Sequence, residues 1–263
     1  MKLAVSNLAW DTGLDREMYA RLQALGFSGL ELAPTKFFAR QPYSDENIQS
    51  MQTRAEELRH TFGLSVVSLQ SIWYGRTESI WGPPEERRAL LEYTARAARF
   101  AAAAGCGNLV FGCPRHRNRP QGADPALAVE FFARAADAVQ PYGVCLSLEP
   151  NPPIYGTNFL NTTAECAAFL RTVGHPALRM NLDVGTMIEN AEDVDVVADN
   201  LALIRHVHIS RPGLAPVQPL ALHRRLADAL RSGGYTGWVS LEMKDVGPAA
   251  AEAAMQTVRS VFA

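Results

Sequence analysis

Four short apolar runs in this chain each carry two polar residues two positions apart: Ser147 and Glu149, Asn181 and Asp183, His206 and His208, Ser240 and Glu242. On a β-strand a spacing of two places both side chains on one face. The residues between and beside them, Leu146, Leu148, Leu182, Val207, Ile209 and Leu241, fall on the other face, where a strand covered by helices needs apolar side chains. If these strands lie side by side with their ends together, two glutamates, an aspartate and a histidine meet. Such a set repels itself without a cation, and its mixed oxygen and nitrogen donors suit Mn²⁺, Mg²⁺, Co²⁺ or Zn²⁺. Glu149, Asp183, His208 and Glu242 therefore read as ligands of a divalent metal, with Mn²⁺ the leading choice. Any one of them alone would read as an ordinary strand-end residue, solvated or paired with an arginine. His206 lies one layer deeper on the same face and reads as a hydrogen-bonded histidine behind the site.

The elements that must bring these residues together follow from the hydropathy pattern. β-rich apolar runs recur at 3–8, 29–32, 65–70, 108–112, 144–149, 178–184, 204–209 and 238–242. Between them lie stretches with helical spacing at 15–24, 45–60, 84–104, 125–139, 163–173 and 220–232. Glycines at 26, 63, 105, 143 and 234 stand where helices must stop before the next strand. The segment 186–200 is the least clear helix, being acidic and interrupted. Eight strand–helix alternations predict one (β/α)8 TIM barrel spanning 1–263, with its site at the C-terminal ends of the strands. A doubly wound open sheet is the structural alternative.

Composition fits that class. The chain has 263 residues, 48% hydrophobic and 20% charged, enough for one large core. A formal net charge of −2 offers no broad positive field for nucleic acid or an anionic membrane surface. The four cysteines form no C-x-x-C pair and read as reduced thiols. No apolar stretch approaches the roughly 20 residues needed to span a bilayer, and the first residues are too polar for a signal peptide. A soluble cytoplasmic protein with a small-molecule partner is expected.

Beyond these patterns, the chain resembles the xylose-isomerase-like barrels of the sugar phosphate isomerase/epimerase family. The likeness covers nearly the whole chain and is carried by Gly29-Leu-Glu31, Leu148-Glu149-Pro150, Asn158-Phe-Leu-Asn161-Thr162, Asn181-Leu-Asp183-Val-Gly185, His206-Val-His208 and Ser240-Leu-Glu242. It implies the same metal quartet, Glu149, Asp183, His208 and Glu242, and adds catalytic roles for Glu149 and Glu242. One glutamate would remove a proton α to a carbonyl and the other would return one from the opposite side, through a metal-stabilised enediolate. Two positions depart from the family pattern: Gly156 follows Tyr155 where a glutamate is common, and Thr186 stands where a histidine is common. The DNA-cleaving members of the family need more histidines than the six present.

Substrate contacts are expected around the same face. Arg115 and Arg117, in the basic loop after the fourth strand, suit a phosphate or carboxylate, or else pair with surface acids. Trp10, Trp73 and other aromatics following strand ends suit the apolar face of a sugar, or loop packing. Gln70 and Asn151 are candidate hydroxyl partners. Lys244 shares the parity of Glu242 and reads as a substrate or ion-pair contact; nearby carboxylates raise an amine's pKa and oppose Schiff-base chemistry. The expected activity is metal-dependent isomerisation or epimerisation of a sugar, possible alternatives being a lyase or dehydratase on a sugar or inositol derivative, or a lapsed sugar-binding barrel. A homodimer is the oligomer usual in the family.

Overall fold

The computed structural model describes all residues from Met1 to Ala263. Eight parallel strands close in chain order: β1 Lys2–Ser6, β2 Gly29–Leu32, β3 Ser65–Leu69, β4 Asn108–Phe111, β5 Cys145–Leu148, β6 Leu178–Asp183, β7 Ile204–Ile209 and β8 Trp238–Leu241. The closing pair sets Lys2 opposite Trp238 and Val5 opposite Leu241, which excludes an open sheet.

Around the barrel run α1 Asp15–Ala24, α2 Pro34–Phe37, α3 Asp45–Phe62, α4 Pro84–Ala103, α5 Ala126–Val139, α6 Thr163–Val173, α7 Val184–Glu189, α8 Asp195–Ala198, α9 Ala221–Ser232 and α10 Pro248–Phe262. Their ends carry recognisable stops. The Thr162 side chain accepts from the Glu165 amide while Glu165 reaches back, a capping box that starts α6. α3 ends on Gly63 in the left-handed region at φ 66°. The acidic segment before β7 breaks into α7, α8 and a 3-10 turn, with Ala191 at φ 52° between them. No helix is long and apolar enough to cross a membrane, and no disulfide links the four cysteines.

Two layers of side chains separate at the strands. Outward, Leu146, Leu148, Leu182, Val207, Ile209 and Leu241 are all fully buried against the helices. Aromatic rings seal the helix side near β4, where Trp73 and Phe111 meet edge-on with centroids 4.7 Å apart. Inward, the barrel is polar: Ser6, Glu31, Ser68, Asn108, Ser147, Asn181, His206, His208 and Ser240 are all buried. Burying such groups is tolerable only when they bond one another. Accordingly Asn108 Nδ2 donates to Ser68 Oγ at 3.0 Å and Ser147 Oγ donates to Asn108 Oδ1 at 2.6 Å.

At the N-terminal end the Trp238 indole packs beside Ala4 and Gly29. A Cβ added at Gly29 would lie 2.6 Å from Trp238 Cζ3 and 2.7 Å from the Ala4 Cβ. The Ala4 methyl is fixed to its strand, so the half-buried indole would have to shift to make room. We expect Gly29→Ala to lower stability by about 1–3 kcal/mol through overpacking. Urea denaturation checks this, and an unchanged midpoint would show that the indole can shift.

Candidate metal centre at the barrel mouth

The strand pleat delivers the four expected residues to the C-terminal opening. Asp183 ends β6, His208 lies in β7, and Glu149 and Glu242 immediately follow β5 and β8. The amides of Glu149 and Glu242 donate to Phe111 O and Ile209 O, each at 3.0 Å, so both backbones continue the sheet for one more residue. Their ligand atoms all lie within 4.8 Å of one another. Gly112 keeps the opening clear, since a Cβ there would stand 3.0 Å from Glu149 Oε1. The resulting cavity, about 210 Å³, is also lined by Gln70, Asn151, Tyr155, Ser210 and Arg211.

His208 is the centre of this arrangement. Its Nε2 is 3.0 Å from Glu31 Oε2 beneath it. Its Nδ1 faces upward, 3.1 Å from Glu149 Oε2 and 3.2 Å from Glu242 Oε2. That nitrogen is buried and makes no hydrogen bond of acceptable geometry. A carboxylate holding one ring nitrogen while the other is free is the arrangement that prepares an imidazole to ligate a metal. One nitrogen and three carboxylates fit a divalent cation such as Mn²⁺, Mg²⁺, Co²⁺ or Zn²⁺.

Each carboxylate is aimed by neighbours. Asp183 Oδ2 accepts from the Thr186 amide at 2.7 Å and its hydroxyl at 2.8 Å, while Oδ1 accepts from Ser210 Oγ. Glu149 accepts from Asn151 Nδ2 at 2.8 Å on one oxygen and from Asn181 Nδ2 at 2.6 Å on the other. Glu242 has no comparable amide donors. Burial and the nearby Glu149 charge push the Asp183 carboxyl up to about 6. Burial pushes Glu242 up to about 7, against the pull of His208. Burial acts on Glu149 too, but His208, Asn151 and Arg117 override it and hold this carboxyl below its ordinary value. Despite its own burial, His208 is held well above the ordinary imidazole range by Glu242 and Glu31.

Against this geometry the comparisons with known proteins can be set. A family model described as "Xylose isomerase-like TIM barrel" matches residues 19–261. The chain belongs to that family. Among relatives of this xylose isomerase-like barrel is the human protein named "Putative hydroxypyruvate isomerase", 27% identical over 262 residues that cover 92% of this chain and 89% of the relative. A Streptomyces coelicolor protein of the same name is 34% identical over 183 residues, 63% of this chain and 62% of its own. Among solved structures, the D-psicose 3-epimerase of Clostridium cellulolyticum, crystallised with D-tagatose, superposes with a TM-score of 0.79 at 17% identity, covering 100% of this chain and 99% of that one. That likeness is one of fold.

Several expected substrate contacts lie elsewhere in this xylose isomerase-like barrel. Gln70 and Asn151 line the mouth, but Trp10 and Trp73 do not. Both indoles are fully buried, Trp10 donating to Asp15 Oδ1 at 2.8 Å and Trp73 to Thr94 Oγ1 at 2.9 Å, so core packing claims them. Arg115 is exposed on a 3-10 turn, Pro114–His116, and is absent from the cavity lining. Lys244 is also exposed outside the lining, because strand pairing stops before it and Met243 turns into the core. Glu31 and Ser210 also belong to the site, through His208 and Asp183, and their strand parity matches that of the inward residues. His206 does sit behind the site, with Nε2 3.0 Å from Glu31 Oε2.

Arg117 is the sharpest correction. Rather than facing a ligand it is fully buried, its Nη1 donating to Glu149 O at 2.7 Å and its Nη2 to Asn151 Oδ1 at 2.8 Å. It thereby fixes both the Glu149 backbone and the amide that orients the Glu149 carboxylate. Burial lowers its guanidinium to about 10, so it remains charged at neutral pH. Arg117→Met should cost about 1.5–3 kcal/mol by leaving two buried acceptors unmatched. Arg117→Lys should recover little of that, since a point charge cannot grip both acceptors as the planar fork does. Denaturant unfolding of the two variants checks this; full recovery by lysine would refute the fork argument.

Proposed function

We propose that this chain is a divalent-metal-dependent isomerase or epimerase that moves a proton on the carbon beside the carbonyl of a small sugar or sugar derivative. The observation that carries this reading is the convergence of Glu149, Asp183 and Glu242 on the free Nδ1 of His208. The isomerase and epimerase names of the relatives and the fold neighbour point the same way. Glu149, Asp183, His208 and Glu242 would hold the metal, Mn²⁺ being the leading choice. A bound divalent ion would draw electron density from a substrate carbonyl oxygen and acidify the adjacent C–H.

The two glutamates are prepared unequally. Glu149, held ionised by His208, Asn151 and Arg117, suits the role of base toward that C–H. Glu242, which lacks those amide donors, is the more readily protonated of the two in the metal-free protein, and in the loaded protein it would return a proton taken up from solvent. They extend from β5 and β8, on different sides of the closed barrel. A substrate lying between them can lose a proton to one face and gain one on the other, which inverts the carbon. Gln70 and Asn151 would meet substrate hydroxyls, a role supported by their place in the cavity lining, which Tyr155 shares.

Purified protein should contain near-stoichiometric metal by mass spectrometry, and the Glu149→Gln, Glu242→Gln double variant should contain none. Mn²⁺ at about 100 times its Kd should stabilise the wild type by about 2.7 kcal/mol. Ketoses incubated with the loaded protein in D₂O should take up deuterium α to the carbonyl, seen by NMR. A wild type with neither metal nor a Mn²⁺-induced thermal shift would leave only a binding barrel.

Metal binding should also depend on pH with a defined sign. In the metal-free protein His208 is held above its usual range, Glu242 at about 7 and Asp183 at about 6, so protons occupy the ligands as pH falls. Binding must expel them, and affinity therefore tightens as pH rises. Calorimetric titration with Mn²⁺ between about pH 5.5 and 7.5 should show this, with proton release. A flat profile would contradict the ligand set.

A further inference from the structure

Beside the mouth opens a second cavity of about 800 Å³, roughly four times the volume of the first. It lies between α2, the segment after α2 and the loop that follows β3. Leu8 and Ser71 line both cavities, so the two are adjoining compartments. Ser71 holds a left-handed backbone at φ 52°, an unfavourable conformation for a residue with a side chain, at the junction between them.

The compartments differ in charge. Glu149, Asp183 and Glu242 line the mouth against one cation, Arg211, whereas no carboxylate lines the side cavity. Two cations do. Arg76 is neutralised by its fork on Glu78, but Lys36 makes no ion pair. Its ammonium donates to Asn7 O at 2.9 Å and to Trp10 O. Those carbonyls fix the position of the nitrogen, the carboxylate that feels its charge, Asp15, is bonded to the Trp10 indole rather than to Lys36, and an ammonium has three donors. At the rim, Tyr74 is 71% exposed, an aromatic face left open to a sugar ring or carbon chain.

We propose that the side cavity is a subsite for the anionic end, phosphate or carboxylate, of an extended sugar substrate whose reacting carbonyl sits at the mouth, with Lys36 recognising the charge. As a substrate subsite it rests on the reading of the mouth as the place of proton transfer. The separation gives the acidic mouth a neutral, polar end of the substrate and keeps the negative end away from the carboxylates. A substrate charged at both ends would be repelled.

The test is isothermal titration calorimetry on the Mn²⁺-loaded full-length protein with D-fructose, D-fructose 6-phosphate and D-fructuronate. One charged end group held by Lys36 should make at least one of the anionic probes bind about ten-fold or more tightly than fructose. Whichever probe shows the advantage identifies the end group. Lys36→Met should erase the advantage while retaining wild-type Mn²⁺ affinity, and Lys36→Arg should restore it. Equal affinities for all three probes, no binding of any of them, or an advantage that survives Lys36→Met would overturn the subsite. Deuterium uptake into fructose separates the two readings. Exchange without a Lys36-dependent preference rejects the subsite alone, and a Lys36-dependent preference without exchange rejects proton transfer at the mouth.

Discussion

One imidazole ring, fully buried, stands between a carboxylate below and two above, with a third within reach. Removing a single carboxylate from water costs several kcal/mol even after the protein relaxes. Gathering four of them multiplies that cost by mutual repulsion, and much of the barrel interior is arranged to offset it. Glu31 answers to His206 and His208 together, which overcome its burial and hold its carboxyl well below the usual range. Thr186 and Ser210 serve Asp183. Asn151 and Asn181 serve Glu149. The polar interior, unusual for a barrel packed with branched apolar side chains, is what lets a charged mouth rest on a folded core.

Glu149 and Glu242 show how identical side chains acquire different chemistry from their second contacts. Glu149 receives two amide hydrogen bonds and the field of a buried guanidinium, so its charged form is favoured. Glu242 receives burial without amide donors, so its neutral form is favoured. On the proposed reading, an environment that divides a pair of like groups in this way would favour Glu149 as the base and Glu242 as the acid. Arg117 bears on this division without lining the opening, acting through the backbone of Glu149 and the side chain of Asn151.

Much of this was legible in the sequence because period-two alternation is rigid. Once Ser147-Leu-Glu149 and its three counterparts are strands, their inward faces follow, and β2 and β7 were bounded to the residue. What parity cannot reveal is where a side chain goes after the strand ends. Lys244 kept the parity of Glu242 but lies beyond the last ladder bond, and it turned to solvent. Arg115 and Arg117 are two residues apart in one loop, yet the first is exposed and the second fully buried, because only the second meets the carbonyl of Glu149. Trp10 and Trp73 follow strand ends as a mouth residue should, but each found a partner for its N–H away from the mouth, Asp15 and Thr94. Glu31 was within reach of the same alternation that revealed the others. Its significance depends on a contact across the barrel, from β2 to β7, that no local pattern encodes.

The Trp238 indole packs beside Ala4 and Gly29 at the lower end of the barrel, and above it the buried Glu31, His206 and His208 fill the interior, so the barrel is stopped below. A vessel stopped at one end has a single doorway. Whatever enters must depart by the way it came, and an occupant on its way out excludes the next arrival. On the proposed reading, reactant and product would be rivals for one and the same form of the protein, and accumulating product would slow turnover by competition rather than by a separate brake.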